Sequence, residues 1–374
     1  MNIGMVTGSR SEYGLLAPLA LAIENHPDCE LMLAVVGSHF AKEHGNTVEQ
    51  IKVKKATFFS LTWSSGNDNS PCDVTARVVG DLGWSMAEDY RPDCLIVLGD
   101  RYESFAAAVA AHINRIPIVH IHGGEVTEGA YDDALRHGIT KMSSLHLVAT
   151  ELYGRRVVQL GENPDSVFNC GALGVEALDD YRTAAKKDGR SVVVCWHPVT
   201  LMPDGGIGQL KQMLDVLFEV RDKFSFTVIG PNADSGGVSA FQELVVFSKE
   251  VNGDYFDSLP RNEFLTKLAS AKFIIGNSSA GIIEAPALGV PTINVGSRQK
   301  GREMASSIWP VDTEREIRYA IERIEKFVLP FEPAYIPYGR GGPVAKTMLD
   351  TILANKHILK RRKVFYDWED ERWQ

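Results

Sequence analysis

The sequence predicts an α/β protein of two domains, each built on a parallel sheet. Three observations carry this. Short β-branched runs alternate with longer helical patterns from one end of the chain to the other. The strand-like runs are apolar almost throughout rather than at every second residue, as in strands covered by helices on both faces. The alternation weakens once, between Gly171 and Arg190, where LGVEALDDYRTAAKKDGR is polar and helix-prone. A domain junction placed there divides the 374 residues into halves of about 150 to 180, each of ordinary domain size.

Taken in order, Asn2–Thr7 reads as a strand, a glycine-bearing turn follows, and Leu15–Asn25 is helical. Glu30–Val36 is the next strand. In the pattern Val74–Tyr90, Val74, Val78, Leu82 and Met86 recur at helical spacing and read as a core stripe. Strand Cys94–Leu98, helix Tyr102–Asn114 and strands Pro117–Ile121 and Leu145–Ala149 complete the first half. The second half begins with strand Ser191–Trp196, helix Gln209–Lys223 and strand Ser225–Ile229. Helix Glu263–Ala271, strand Lys272–Ile275 and helix Gly281–Leu288 follow, then strand Pro291–Val295 and helix Glu314–Phe327. From Pro343 to Gln374 the chain reads as one long helix with a mixed-charge end. There the basic run Lys360–Lys363 reads as a solvated face or an oligomer contact.

Composition narrows the function classes. Hydrophobic residues make up 44% and charged residues 23%, an ordinary globular balance. The net charge of −9 argues against a nucleic-acid partner, whose affinity rests on neutralising phosphates. The longest uncharged run is 13 residues, short of the roughly 20 a membrane helix needs. The N-terminus shows no basic leader followed by an apolar stretch, so a cytoplasmic protein is expected. Five scattered cysteines without a CxxC pair fit reduced thiols and give no zinc framework. A small anionic substrate would need positive charge gathered locally.

In open α/β sheets ligands bind beyond the carboxyl ends of the strands, and two such domains face to face would put a site in the cleft between them. After the first strand comes TGSRSEYG, where Arg10 is placed to fork onto a phosphate or carboxylate or is a surface arginine. It is not GxGxxG, so the dinucleotide fingerprint is absent. Gly99-Asp100-Arg101 offers an acid/base carboxylate and a phosphate ligand, or a helix cap with a solvent-facing arginine. The densest stretch is His120-Ile121-His122-Gly123-Gly124-Glu125, followed by Asp132, Asp133, Arg136 and His137. Strand alternation puts His120 and His122 on one face. An acid/base site, a metal site and buried structural histidines all remain open there.

In the second half His197 precedes Pro198 and is held extended. The loop after Ile229 carries Asn232 and Asp234. Ser278 and Ser279 stand before a helix bearing Glu284, where backbone N–H groups, hydroxyls and the helix dipole favour an anion; plain capping is the other use. Ser297-Arg298-Gln299-Lys300-Gly301-Arg302 adds three cations, and with Arg10 and Arg101 these are where local positive charge is expected. No GxSxG elbow and no cysteine–histidine neighbour at a strand end suggests a nucleophile.

TGSRSEYG, LGDRYE, HIHGGEVTEG–DD–RHGITK, HPVT, GPNADSG, GNSSAGIIEAP and GSRQKGRE occur in that order over roughly residues 3 to 350. Together they closely resemble the hydrolysing UDP-N-acetylglucosamine 2-epimerases of sialic acid biosynthesis. The resemblance implies two Rossmann-like domains facing a central cleft, a GT-B-like fold whose C-terminal helix crosses back to the first domain. The boundaries become 1–172 with 343–374, and 190–342. It implies a UDP-sugar substrate whose UDP is held mainly by the second domain, no nicotinamide or other cofactor, and a homodimer or homotetramer; no metal ligands are assigned. A base removes the proton at sugar carbon 2 while UDP leaves carbon 1, and water then adds to the glycal.

Residue by residue, the resemblance makes Asp100 and Asp132 catalytic, with Asp133 adjacent. His197 becomes a contact of the diphosphate or the reacting sugar, Ser278 and Ser279 phosphate ligands, and Glu284 the ribose ligand. Arg298 becomes a neighbour of the uridine or diphosphate, and Arg10 the arginine of the first turn. One departure stands out: several members carry a catalytic Glu where this chain has His122. His122 or Glu125 is then expected to take part of the proton transfer. Related readings are a hydrolysing 2-epimerase of UDP-diacetylbacillosamine and a non-hydrolysing 2-epimerase. More distant ones are a glycosyltransferase on the same fold and a non-catalytic UDP-sugar sensor.

Overall fold

The computed structural model describes residues 1–40, 47–54, 57–60, 70–88, 91–231, 237–327 and 331–367. The chain divides into two compact units. One comprises Met1–Glu125, Asp132–Leu173 and Pro343–Gln374; the other comprises Val126–Tyr131 and Gly174–Gly342.

In chain order the first unit contains β1 (Asn2–Thr7), α1 (Arg10–Asn25), β2 (Glu30–Val35), β3 (Thr57–Ser60), α2 (Pro71–Glu88), β4 (Cys94–Leu98) and α3 (Tyr102–Ile113). It continues with β5 (Ile118–Ile121), α4 (Asp132–Met142), β6 (Leu145–Val148), α5 (Glu151–Gln159) and β7 (Val167–Asn169). The second unit contains α6 (Leu178–Ala184), β8 (Ser191–Cys195), α7 (Ile207–Glu219), β9 (Ser225–Ile229), α8 (Gly237–Glu250), β10 (Asp254–Phe256) and α9 (Arg261–Ser270). After these come β11 (Phe273–Gly276), α10 (Glu284–Ala287), β12 (Thr292–Val295), β13 (Ile308–Val311) and α11 (Glu314–Glu325). The chain closes on the first unit with α12 (Val344–Ala354) and α13 (Lys356–Leu359).

Among the described residues the first sheet has the order β3-β2-β1-β4-β5-β6-β7 and the second β10-β9-β8-β11-β12-β13. Every neighbouring pair is parallel, with Ile3 opposite Leu31 on one side and Cys94 on the other. The expected parallel sheets are therefore present. Five of six residues of β1 and all of β4 are buried, which explains their unbroken apolar character. The stripe Val74, Val78, Leu82 and Met86 packs into the first core as read from its spacing. Each such side chain contributes about 1.5–3 kcal/mol when buried. This outweighs Gly80 and Gly83 in the same helix, which cost about 1 kcal/mol each. In the second unit Trp196 is fully buried in the core cluster.

Four strands that the sequence did not disclose, β3, β7, β10 and β13, are the four edges of the two sheets. Edge strands need less apolar content, and β13 carries Pro310, which an edge tolerates. Two predicted helices are corrected. Gly281–Leu288 is a 3₁₀ turn, Ser279–Gly281, followed by the four-residue α10. The long helix from Pro343 breaks at Asn355 and ends at Leu359, beyond which Arg361–Asp367 is not helical. In the basic run Lys360, Arg361 and Arg362 are exposed, whereas Lys363 is partly buried with its ammonium 2.6 Å from Glu162.

Strand order reverses between β1 and β4 in the first sheet and between β8 and β11 in the second. These are the topological switch points, where the loops beyond the strand ends diverge and leave room for a ligand.

Candidate active site

In the first unit the switch point brings the turns after β1 and β4 together. A Cβ on Gly8 would lie 3.0 Å from the Glu103 side chain, so a larger residue would crowd the turn. Ser9 caps α1, accepting from the Glu12 N–H at 3.3 Å. Arg10 opens the helix, and burial lowers its pKa from the ordinary value. The buried Glu12 carboxylate accepts from the Gly8 N–H at 2.5 Å and from the Ser104 hydroxyl at 2.8 Å. Burial pushes its pKa up to about 7. His39, fully buried, sits 3.0 Å from the Thr7 hydroxyl, and burial pushes it down to about 4.

Beyond β4, Gly99 turns the chain at φ +70. Arg101 occupies the N-cap position of α3 without a side-chain cap bond, so Asp100 is not the cap. Arg101 lays its guanidinium on buried Glu103 at 3.1 and 3.2 Å. As a phosphate ligand it would have to share that fork.

Asp100 instead receives Nη2 of Arg136. The Nη1 of Arg136 donates to Asp133 Oδ1 and to the Glu125 carbonyl, each at 2.8 Å. Arg136 is 1% exposed, and the sequence reading gave it no role. It draws together the end of β4, the loop after β5 and the first turn of α4. Asp132 stands beside Asp133 at the start of α4, partly exposed.

The two motif histidines part company. β5 ends at Ile121, and His122 has φ +66, a left-handed conformation rare for a side-chain-bearing residue. Strand alternation therefore fails at this position, and His120 and His122 do different things. His120 places Nε2 2.8 Å from the Gly99 carbonyl and Nδ1 3.1 Å from the Thr140 hydroxyl, so both ring nitrogens are occupied. His122 places Nδ1 2.6 Å from Glu125 Oε1, and its buried Nε2 has no hydrogen-bond partner among the described residues. A carboxylate only accepts, so Nδ1 donates in this contact.

In the second unit Asn277 ties the two switch-point strands together. Its side chain accepts from the His197 N–H at 2.7 Å and donates to the His197 carbonyl at 2.8 Å. Its own carbonyl accepts from Arg298 at 3.1 Å and Gln299 at 2.9 Å. Burial and the Arg298 guanidinium push His197 down to about 3, so this ring is neutral at pH 7. Ser278 caps the 3₁₀ turn, accepting from the Ala280 N–H at 3.3 Å, and Ser279 opens it. Only a short turn and a four-residue helix stand behind these serines, so the helix dipole expected there is not developed. Glu284, 6% exposed, accepts from Arg261 at 3.1 Å, and Arg261 also donates to the Gly174 carbonyl at 2.7 Å. No motif pointed to Arg261; a buried carboxylate needing a partner was the available signal. Lys300 pairs with Glu128 at 2.7 Å, so part of the expected positive charge is already neutralised. Asn232 and Asp234 lie outside the described residues.

The chain is an α/β protein with titratable side chains gathered at the switch point of one sheet and hydroxyl, amide and arginine groups at that of the other. In fold it is GT-B-like. It resembles the UDP-N-acetylglucosamine 2-epimerase of Neisseria meningitidis solved with UDP-N-acetylglucosamine, with a TM-score of 0.77 and 20% identity over 95% of this chain and 100% of that one. Residues 21–352 match the UDP-N-acetylglucosamine 2-epimerase family, and the chain belongs to it. It is 35% identical to the polysialic acid biosynthesis protein P7 of Escherichia coli, over 97% of this chain and 96% of that protein. It is 33% identical to the hydrolysing GDP/UDP-N,N'-diacetylbacillosamine 2-epimerase of Campylobacter jejuni, over 87% of each.

Proposed function

We propose that this protein is a hydrolysing UDP-N-acetylglucosamine 2-epimerase, converting UDP-N-acetylglucosamine and water to N-acetylmannosamine and UDP for sialic acid synthesis. The observation that carries the proposal is the gathering of Asp100, Asp133 and the His122–Glu125 pair about buried Arg136. The first step removes the proton at carbon 2. The pair of electrons from that bond forms the carbon 1–carbon 2 double bond, and the carbon 1–oxygen bond breaks to release UDP. Water then adds across the double bond, its hydroxyl to carbon 1 and a proton to the opposite face of carbon 2. Abstraction from carbon needs a fixed base, and Nε2 of His122, held in one tautomer by Glu125, is suited to it. Asp100 and Asp132 serve the remaining proton transfers. In the second unit His197, Ser278, Ser279 and Arg298 take the diphosphate, and Glu284 takes the ribose. Departure of the diphosphate needs such donors.

UDP-N,N'-diacetylbacillosamine is the second substrate to consider, favoured by 33% identity to hydrolysing epimerases of that sugar from Campylobacter jejuni and Legionella pneumophila. Each nucleotide sugar is incubated with the protein in deuterium oxide, and free UDP and deuterium at carbon 2 are measured. Free UDP together with deuterated 2-epimer is expected. A UDP-linked epimer without free UDP points to the non-hydrolysing reaction, and no exchange at carbon 2 with either sugar sinks the epimerase reading. His122→Asn is expected to abolish exchange; unchanged exchange and rate would remove His122 from the mechanism.

A further inference from the structure

A buried polar path in the first unit runs from the C-terminal segment to Asp100. His120 is fully buried. A carbonyl only accepts, so the contact with the Gly99 oxygen at 2.8 Å puts the ring proton on Nε2. Burial pushes the ring's pKa down to about 3, which leaves Nδ1 unprotonated to accept from the Thr140 hydroxyl at 3.1 Å. Gly123 permits this contact, since a Cβ there would stand 2.9 Å from His120 Nδ1 and 3.1 Å from Thr140 Oγ1.

The same Thr140 is held from the other side. Its carbonyl accepts from Lys363 Nζ at 3.2 Å, and the Ser143 carbonyl accepts from the same ammonium at 2.6 Å. A cation at these carbonyls sits at the C-terminal end of α4, where the helix dipole favours it. Lys363 is fixed in turn by Glu162, 2% exposed, which also takes Lys141 at 2.7 Å and His146 at 3.1 Å. The segment carrying Lys363 is seated by the Tyr366 N–H on the Gly161 carbonyl at 2.9 Å. The Phe365 ring covers Gly161, where any Cβ would overlap it.

Gly99 has φ +70, and its carbonyl belongs to the peptide that joins it to Asp100. A hydrogen bond on that oxygen fixes the peptide plane and so the direction in which Asp100 leaves the strand. We propose that His120 is a positioning residue for Asp100, and that Lys363 of the C-terminal segment secures it through Thr140. The inference rests on the reading that Asp100 takes part in proton transfer. A misplacement of about 1 Å in such a group can cost on the order of a hundredfold in rate.

Thr140→Val keeps the shape and removes the hydroxyl. Expected is a folded protein whose kcat for UDP release falls about tenfold or more through misplacement of Asp100. KM and UDP affinity are expected to stay near the wild type, with recovery in Thr140→Ser. Lys363→Met is expected to lower kcat in the same sense, and the double variant to lose less than the product of the two. Nitrogen-15 NMR of the imidazoles is expected to show His120 as the neutral Nε2–H tautomer at pH 6, and a second tautomer in Thr140→Val. An Nδ1–H or charged His120 in the wild type would overturn the proposal. So would wild-type kcat in Thr140→Val while the wild type exchanges carbon 2. No exchange in the wild type itself would sink the epimerase reading first, and the positioning role with it.

Discussion

At the scale of single residues, Arg136 decides how the first unit's carboxylates can coexist. A guanidinium 1% exposed costs several kcal/mol unless it is paired. Here Asp100, Asp133 and the Glu125 carbonyl provide that pairing. Arg136→Met would leave two carboxylates without their shared counter-charge. Asp100 and Asp133 are 24% and 30% exposed, so the expected cost is that of lost charge-assisted hydrogen bonds, about 1.5–3 kcal/mol. Loss of an electrostatic support at an active site costs on the order of a hundredfold in rate. Denaturant unfolding and UDP release measure the two losses; a variant within 1 kcal/mol of wild type at ordinary rate would contradict this account. The sequence displayed Arg136 three residues after Asp133, but spacing alone did not show that the side chain was buried. His120 and His122 teach the same lesson from the other side. Alternation holds only while the backbone is extended, and one left-handed residue at His122 sends the two rings to different partners.

At the scale of elements, legibility followed burial. The central strands β1, β4, β8 and β11 are covered on both faces and announce themselves as apolar runs. The edge strands β3, β7, β10 and β13 do not, because their outer side is not paired. Helix α4 was also hidden. Its buried residues are Arg136, Ile139 and Thr140, two of them polar, so no apolar period marks it. The second unit's switch point depends on Gly276 at the end of β11, with φ +137. A Cβ there would overlap the Cys195 carbonyl, on the strand that the Asn277 clamp joins to it. Gly276→Ala must therefore move backbone rather than a flexible side chain. The expected cost is about 2–4 kcal/mol from strain and overpacking together, with weakened UDP binding. Urea unfolding and calorimetric titration with UDP check this. An alanine variant as stable as wild type would show that the two strands have more room than the geometry allows.

At the scale of the molecule, a net charge of −9 says little about where charge matters. Arg101, Lys300 and Arg136 are already paired with Glu103, Glu128 and Asp100, so much of the positive charge seen in the sequence is spent on structure. Part of the fold's response to pH comes from a smaller set of buried titratable groups. His39 and His120 are fully buried and held neutral, with pKa values near 4 and 3. An unfolded histidine titrates near 6.5. Both rings thus contribute stability that is fully present above about pH 6.5 and is lost as pH falls through the folded values, at about 1.4 kcal/mol per pH unit for each. Glu12 acts in the opposite sense. Its pKa is raised to about 7, so stability present below about pH 4.5 declines as pH rises to 7 and stays low above it. Glu12→Gln removes that decline. The variant is expected to be more stable than wild type by about 3 kcal/mol at pH 8, with the difference closing to nothing near pH 4.5. The acid-side loss from the two histidines should persist in both proteins. Urea midpoints from pH 4.5 to 8.5 test the pair. A Glu12→Gln curve parallel to wild type would mean that Glu12 titrates normally, because the Gly8 N–H and the Ser104 hydroxyl together offset its burial.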